Sequence, residues 1–269
     1  MLKTTKAQVE GFIRDLQEND RIIGNEKVWN FLVGHLLAHG KYKEEHFATL
    51  IGGQKNTNSS SRIWYEAEPL SPRKGEGNTK LDLALGYIKS RGKTQLGIEF
   101  DYTKEGNSWV CFVEGKYSSD CSTTVRYDPL RNQLARVIEN LIVFEGNGHY
   151  PENLIFTLLT PRVFRTNPHS RLYGYKMDEY RNSDSVLRDI EQSCLEKRYD
   201  LRDSEEFLQE RLTRLKLNWV CYEDILEREF GFRFLDLTSK NWEEPESEKM
   251  LEFIRALAEQ YHSGRFSYG

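Results

Sequence analysis

The sequence predicts an α/β fold: a three-layer α/β/α arrangement around a central mixed sheet of about five strands. Three observations predict it. Three β-prone runs follow one another, at 81–88, 95–103 and 109–117, joined by the loop-like stretches KSRGKT and KEGNS. A strongly amphipathic helix pattern then fills 128–144, with Leu130, Leu134, Val137, Ile138, Leu141 and Ile142 on one face. An apolar run at 153–161 follows that helix as a buried strand. Antiparallel strands followed by a helical crossover give a mixed sheet with helices on both sides.

The elements read in order as follows. A first helix covers about 5–18. A second lies within 25–40, where Val28, Trp29, Leu32, Leu36 and Leu37 recur at helical spacing and Gly40 is the stop. The stretch 52–78 is rich in Gly, Asn, Ser and Pro and reads as irregular, with one short strand at 63–66. The three β-prone runs then form hairpins. Asp128 as N-cap and Pro129 at the first helical position open the next helix. A long polar helical region spans about 178–216. A last core strand at 217–226 runs into a helix, and the segment from 247 closes the chain as a helix. One domain, 1–269, accounts for all of it: N-terminal helices in 1–60, a core in 80–165, a helical insertion in 166–216, and the last strand with C-terminal helices in 217–269.

The chain has 269 residues, 38% hydrophobic and 30% charged, a mix that fits a folded globular core and not a disordered chain. No apolar run is long enough to span a bilayer, and the first twenty residues lack a signal-peptide centre, so a cytoplasmic protein with no membrane partner is expected. The net charge of -4 argues against coating nucleic acid by bulk charge, though not against a local patch. None of the four cysteines, Cys111, Cys121, Cys194 and Cys221, forms a C-x-x-C pair, which speaks against zinc. His35 and His39 are one turn apart without the Glu of H-E-x-x-H, and there is no glycine-rich phosphate loop and no G-x-S-x-G.

Chemistry enters at the end of the third β-prone run, SWVCFVEGKYSSD. Val110, Phe112, Glu114 and Lys116 share one face of that strand, so a carboxylate and an ammonium point the same way where it leaves the core. Such a pair is ordinarily a surface ion pair. Asp82, at the head of an earlier strand of the same sheet and on the face opposite Leu81, Leu83 and Leu85, changes that. Two carboxylates converging at strand ends call for a cation, and oxygen-only ligands suit Mg²⁺. A lysine beside it can orient a water or offset charge on a phosphate, a set of parts for phosphodiester hydrolysis.

The order LDLAL, FVEGKYSSD, DPLRNQLARVIENL resembles the PD-(D/E)XK nuclease superfamily, the restriction-endonuclease-like fold. Asp82 matches the family's aspartate, and Glu114 and Lys116 its (D/E)-x-K. The resemblance makes 80–165 the catalytic core. It implies a Mg²⁺-dependent nuclease, with Mn²⁺ able to substitute, acting on nucleic acid and most simply DNA. It implies Asp82, Glu114 and the carbonyl of Gly115 as metal ligands, and Lys116 as the group that positions water. Gln133, on the following helix, matches a polar residue that several branches place near the site. A glutamate on the N-terminal helix often joins the metal shell; Glu26, or else Glu10, would fill that place. Lys80, Arg126, Arg131 and Arg136 flank the site as phosphate contacts. Many such nucleases work as homodimers. The sequence departs from the pattern twice: Leu81 stands where a proline is usual, and the 32 positions from Asp82 to Glu114 hold an extra strand. A rival assignment pairs Asp82 with Glu99 and Asp101, but it lacks the lysine and the following helix. The functional alternative is a catalytically inactive module that binds nucleic acid or protein on the same fold. A carboxylate-pair glycosidase would leave Lys116 unexplained.

Overall fold

The apolar run Trp109–Gly115 is buried along its whole length, as a strand covered on both faces must be. The computed structural model describes residues 2–18, 25–53, 62–103, 107–122, 128–199, 204–231 and 245–263. In chain order these form β1 (Leu2–Lys3), α1 (Lys6–Glu18), α2 (Glu26–His39), α3 (Lys43–Leu50), β2 (Arg62–Pro69), β3 (Leu81–Gly86), β4 (Ile88–Ser90), β5 (Gly97–Phe100) and β6 (Trp109–Gly115). There follow α4 (Gln133–Ile142), β7 (Asn153–Thr160), α5 (Arg162–Thr166), α6 (Leu172–Glu179), α7 (Ser183–Glu191), α8 (Ser204–Thr213), β8 (Leu215–Cys221), α9 (Tyr222–Phe230) and α10 (Pro245–His262).

Among the described residues the sheet has eight strands, not about five. Its order is β4-β5-β2-β3-β6-β7-β8, with β1 also paired to β2. β3 runs antiparallel to both of its neighbours, β2 and β6, and β6, β7 and β8 run parallel, so the sheet is mixed. The period of two along β6 sorts its side chains into two buried clusters. Cys111 and Val113 join Leu83, Leu85 and the helices α1, α2, α9 and α10. Val110 and Phe112 join Ala84, Phe156 and the helices α4, α6, α7 and α8.

Three expectations are corrected here. The run 81–88 is not one strand: it breaks after Gly86, whose φ of 113° only glycine adopts easily, and where a Cβ would lie 2.3 Å from the Trp109 carbonyl oxygen. Beyond that break, β4 and β5 form a hairpin at the far edge, beside β2. Leu81 does not share the face of Leu83 and Leu85 but joins Ala84 in the α4-side cluster. The β2–β3 ladder skips a pair between Tyr65↔Leu83 and Ala67↔Leu81, where Glu66 has a φ of 48°, so alternation fails at that point. The long helix does not start at Asp128. Asn132 caps α4, its side chain accepting from the Ala135 N–H at 3.0 Å, and Leu130 is exposed. Asp128 is instead drawn inward by Arg131 and Ser193.

That inward pull is part of a buried ionic network. The guanidinium of Arg131 is fully buried against Glu76, Asp128 and Glu139. Arg73 Nε donates to Glu139 Oε1 at 2.7 Å, and its other nitrogens donate to the carbonyls of Ile190 and Leu195. Arg136 Nε lies 2.9 Å from Glu76. Burying an ion costs several kcal/mol, so the three arginines and three carboxylates are tolerable here only as closed pairs. Their structural effect is to pin the connection between β2 and β3 onto α4, which sets where β3 begins.

Candidate active site

β3 and β6 are hydrogen-bonded neighbours. The chain between them leaves for the far edge as the β4–β5 hairpin and returns, so the extra strand does not come between them. One step beyond the pair Leu83↔Val113, Asp82 falls opposite Glu114. Directly opposed side chains on one ladder have Cβ atoms about 5 Å apart. The main chain closes the gap further: the Gly115 N–H donates to Asp82 Oδ2 at 2.7 Å.

Around this pair stand the other expected residues. Lys116 Nζ lies 2.9 Å from Glu114 Oε1 and 3.6 Å from Glu26 Oε1. The Gln133 amide also donates to Glu114 Oε1, and its own oxygen accepts from the Ser122 N–H at 3.3 Å. Gln133 therefore holds Glu114, not Lys116. Glu26, in the first turn of α2, accepts at Oε2 from the Tyr117 N–H at 3.0 Å and the Ser119 hydroxyl at 2.8 Å. Its place is as a clamp on the residues after β6 and as a second partner of Lys116. Glu10 is exposed on α1, paired with Lys6.

The electrostatics follow from burial and proximity. Burial first, then the charges of Glu114 and Glu26, hold the Asp82 carboxyl well above the usual range, and Lys116 and the Gly115 N–H offset part of this. Burial also raises Glu114, with Lys116 pulling the other way. For Lys116, burial acts to lower the value, but Glu114 and Glu26 outweigh it and hold the ammonium above an ordinary lysine. Three carboxylates around one ammonium leave two negative charges uncompensated when all are ionised.

The donor set fits a hard dication. Among the described residues, the protein's contacts fall on Oδ2 of Asp82 and Oε1 of Glu114, which leaves the other oxygen of each for a ligand. No group of three or more His, Cys, Asp and Glu among the described residues is arranged to hold a metal unaided. A cation here would take two side chains, main-chain oxygen and water, the usual style of Mg²⁺.

The expected phosphate contacts divide. Lys80 is exposed, 3.9 Å from Glu68. Arg136 is mostly buried but close enough to Glu114 to act on its charge. Arg131 is wholly interior, which removes it from any nucleic-acid surface; of its three partners Asp128 and Glu139 are near in sequence, but Glu76 lies on a distant loop that spacing cannot reveal. Arg126 lies outside the described residues. The rival pair does not reach the site: β2 stands between β5 and β3, and Glu99 faces Lys89 at 3.4 Å. His35 is buried beside the Tyr261 hydroxyl at 3.1 Å and, chiefly through desolvation, titrates at about 3, a core histidine.

One residue of the site was missed. Asn30 is buried in α2, and its Oδ1 accepts from the Tyr222 hydroxyl at 2.6 Å. Its amide lies against Gly115, where a Cβ would come within 2.1 Å of Asn30 Oδ1. The signal was present: a lone amide between Trp29 and Phe31 on a helix otherwise apolar nearly all round. No helix among the described residues is long and apolar enough to cross a membrane. Comparison with protein-family models, with curated proteins and with solved structures gave no match in any of the three.

Proposed function

We infer that this protein hydrolyses phosphodiester bonds in nucleic acid, with DNA as the expected substrate, using a divalent cation held by Asp82 and Glu114. One observation carries the reading. A chain excursion of an entire hairpin leaves β3 and β6 adjacent, and sets the half-buried carboxylate of Asp82 opposite the buried one of Glu114, with Lys116 beside them. A three-layer, restriction-endonuclease-like arrangement belongs to the same reading. It is supported by the strand order β2-β3-β6-β7-β8, with α4 crossing from β6 to β7.

Asp82, Glu114 and the Gly115 carbonyl are the groups that would hold Mg²⁺ or Mn²⁺. When bound, such an ion supplies Lewis acidity at the scissile phosphate and a more acidic water. The chain's own residues do the rest. The Gly115 N–H fixes the orientation of Asp82, and Gln133 fixes that of Glu114. Lys116, held as an ammonium by its carboxylate neighbours, cannot take a proton at neutral pH. It acts as a donor that orients the attacking water and offsets charge on the phosphate. A homodimer, which cutting both strands of a duplex favours, is part of the proposal.

The close Lys116–Glu114 pair favours a second reading, in which the cluster only stabilises a module that binds nucleic acid or protein. The two separate in a cleavage assay on supercoiled plasmid and single-stranded DNA with Mg²⁺ or Mn²⁺. The nuclease reading expects cleavage by the wild type and a loss of about 10²–10⁴-fold in Lys116→Ala. Equal rates in the two proteins would show the catalytic assignment to be wrong. Binding without cleavage would establish the second reading.

A further inference from the structure

Helix α6 lies along the rim of the candidate active site. Asp120, in the segment after β6, accepts from the Leu172 and Tyr173 N–H groups at 2.7 and 3.3 Å, which ties the first turn of α6 to that segment. The same segment holds Ser119, which donates to Glu26, and Ser122, whose N–H donates to Gln133. At the other end of α6, the Tyr180 hydroxyl accepts from Asn132 Nδ2 at 2.8 Å, one residue before Gln133. Within the helix Tyr173 and Met177, one turn apart, are buried. Tyr175 between them therefore faces outward, 53% exposed.

Two features of this surface suit an unpaired nucleotide. The first is a built pair of rings. His169, in the turn between α5 and α6, is exposed and stacks on Tyr175 with ring centroids 4.4 Å apart and planes 14° from parallel. The turn can press onto the helix because residue 174 is glycine; a side chain there would collide with the Pro168 carbonyl. His169 Nε2 lies 3.0 Å from Asp178 Oδ2, which fixes the imidazole. A platform held in this way loses little entropy when a base settles on it. The second is Arg171. Residues 162–181 hold five basic side chains against two acidic ones, in a chain of net charge -4. Arg162, Arg165, Lys176 and Arg181 pair with carboxylates; Arg171 alone has none within 4 Å among the described residues. Its guanidinium lies over the Phe164 ring at 4.5 Å and donates to the carbonyls of Ser170 and Ser118 at 3.0 and 3.5 Å, so further N–H donors remain for a ligand. It also stands near the site: burial pushes the Tyr173 hydroxyl up, and both Arg171 and Lys116 act on that hydroxyl in the opposite sense.

We propose that the Tyr175–His169 stack and Arg171 hold the single-stranded part of the nucleic acid that is cleaved at Asp82 and Glu114, with a base on the rings and a backbone phosphate at the guanidinium. The proposal rests on the nuclease reading for its setting, and it makes single strands the preferred substrate class. Every base has a π-face, so the stacking is tolerant of sequence. A duplex keeps its base faces against one another and gains nothing from the rings. Arginine offers phosphate a fixed fork of donors, and that contact weakens with salt.

The test measures binding of a fluorescent oligothymidylate of about ten nucleotides to the full chain in EDTA, with closed-circular duplex DNA, which offers no unpaired base, as the comparison. Tyr175→Ala, at an exposed position, should lower oligothymidylate affinity about tenfold, the worth of one stacked base, and leave duplex affinity where it was. Tyr175→Phe, which restores the ring, should recover most of the loss. Arg171→Gln should reduce the slope of log K against log salt by about 0.7, one phosphate on a single strand, whereas Tyr175→Ala should not change that slope. Oligothymidylate affinity that is unmeasurable in the wild type, unchanged in Tyr175→Ala, or lost equally for the duplex overturns the proposal. Cleavage is scored separately with Mg²⁺. Tyr175-dependent binding without cleavage by the wild type sinks the nuclease reading and leaves the strand surface; cleavage by a wild type that binds no better than Tyr175→Ala does the reverse.

Discussion

Asp82, half-buried, and Glu114, buried, face each other, and both hold their protons more tightly than a free side chain does. For Asp82 the cause is burial, then repulsion by Glu114 and Glu26, and this fixes a sign. At pH values below the unfolded-state value near 3.9, both folded and unfolded chains are protonated and the group adds nothing. As pH rises past that value, the unfolded chain gives up its proton first, and Asp82 opposes folding increasingly. Asp82→Asn removes that opposition while keeping an acceptor for the Gly115 N–H. In EDTA its urea midpoint should exceed that of the wild type at pH 8 and converge with it near pH 4. Midpoints that track each other across this range would mean that Asp82 carries no such strain. At this scale the sequence was informative: Asp82, Glu114, Lys116 and Gln133 converge as the motif implied. Asn30 was legible only as an anomaly on an apolar helix, and the part played by Glu26 depends on Tyr117 and Ser119, which spacing alone does not bring to it.

Among the elements, β3 and its exit decide whether a site exists. In sequence 81–88 reads as one strand, and the run at 95–103 reads as an extra strand between the two carboxylates. Gly86 is the reason it is not so: a positive φ and the nearby Trp109 carbonyl turn the chain out of the sheet's centre. Glycine in an apolar run reads as a neutral gap until its dihedral angle is known, which is why the register of β3 against β6 was illegible. Gly86→Ala should cost more than about 1 kcal/mol, because alanine is strained there and its Cβ meets main chain. Urea unfolding measures it, and a change of only a few tenths of a kcal/mol would mean that the turn tolerates an ordinary residue. The cap of α4 shows the complementary failure. Asp128 and Pro129 carry all the local signals of a helix start, but Asp128 is taken by Arg131 and Ser193, and Asn132 caps instead.

On the scale of the whole molecule, the α/β class and the mixed sheet were legible from periodicity, because long apolar runs and an amphipathic helix are local signals. The edge strands were not, since β1 has two residues and β4 three, too few to show a period. Nor was the buried network of Arg73, Glu76, Asp128, Arg131, Arg136 and Glu139, whose members look like surface charges in sequence. Arg131→Ala should destabilise by about 3–5 kcal/mol, because it leaves Glu76 and Glu139 buried and short of a partner. A loss below about 1 kcal/mol in urea unfolding would mean that the network is not closed through Arg131. That network holds the connection into β3 and so the position of Asp82, and it leads to the claim on which the rest depends: that Asp82 and Glu114 share one cation. Calorimetric titration with MnCl₂ tests it directly. The wild type should bind one Mn²⁺ per chain, and both Asp82→Asn and Glu114→Gln, checked as folded by circular dichroism, should lose that binding. Mn²⁺ affinity that is absent in the wild type, or unchanged in either variant, would contradict it.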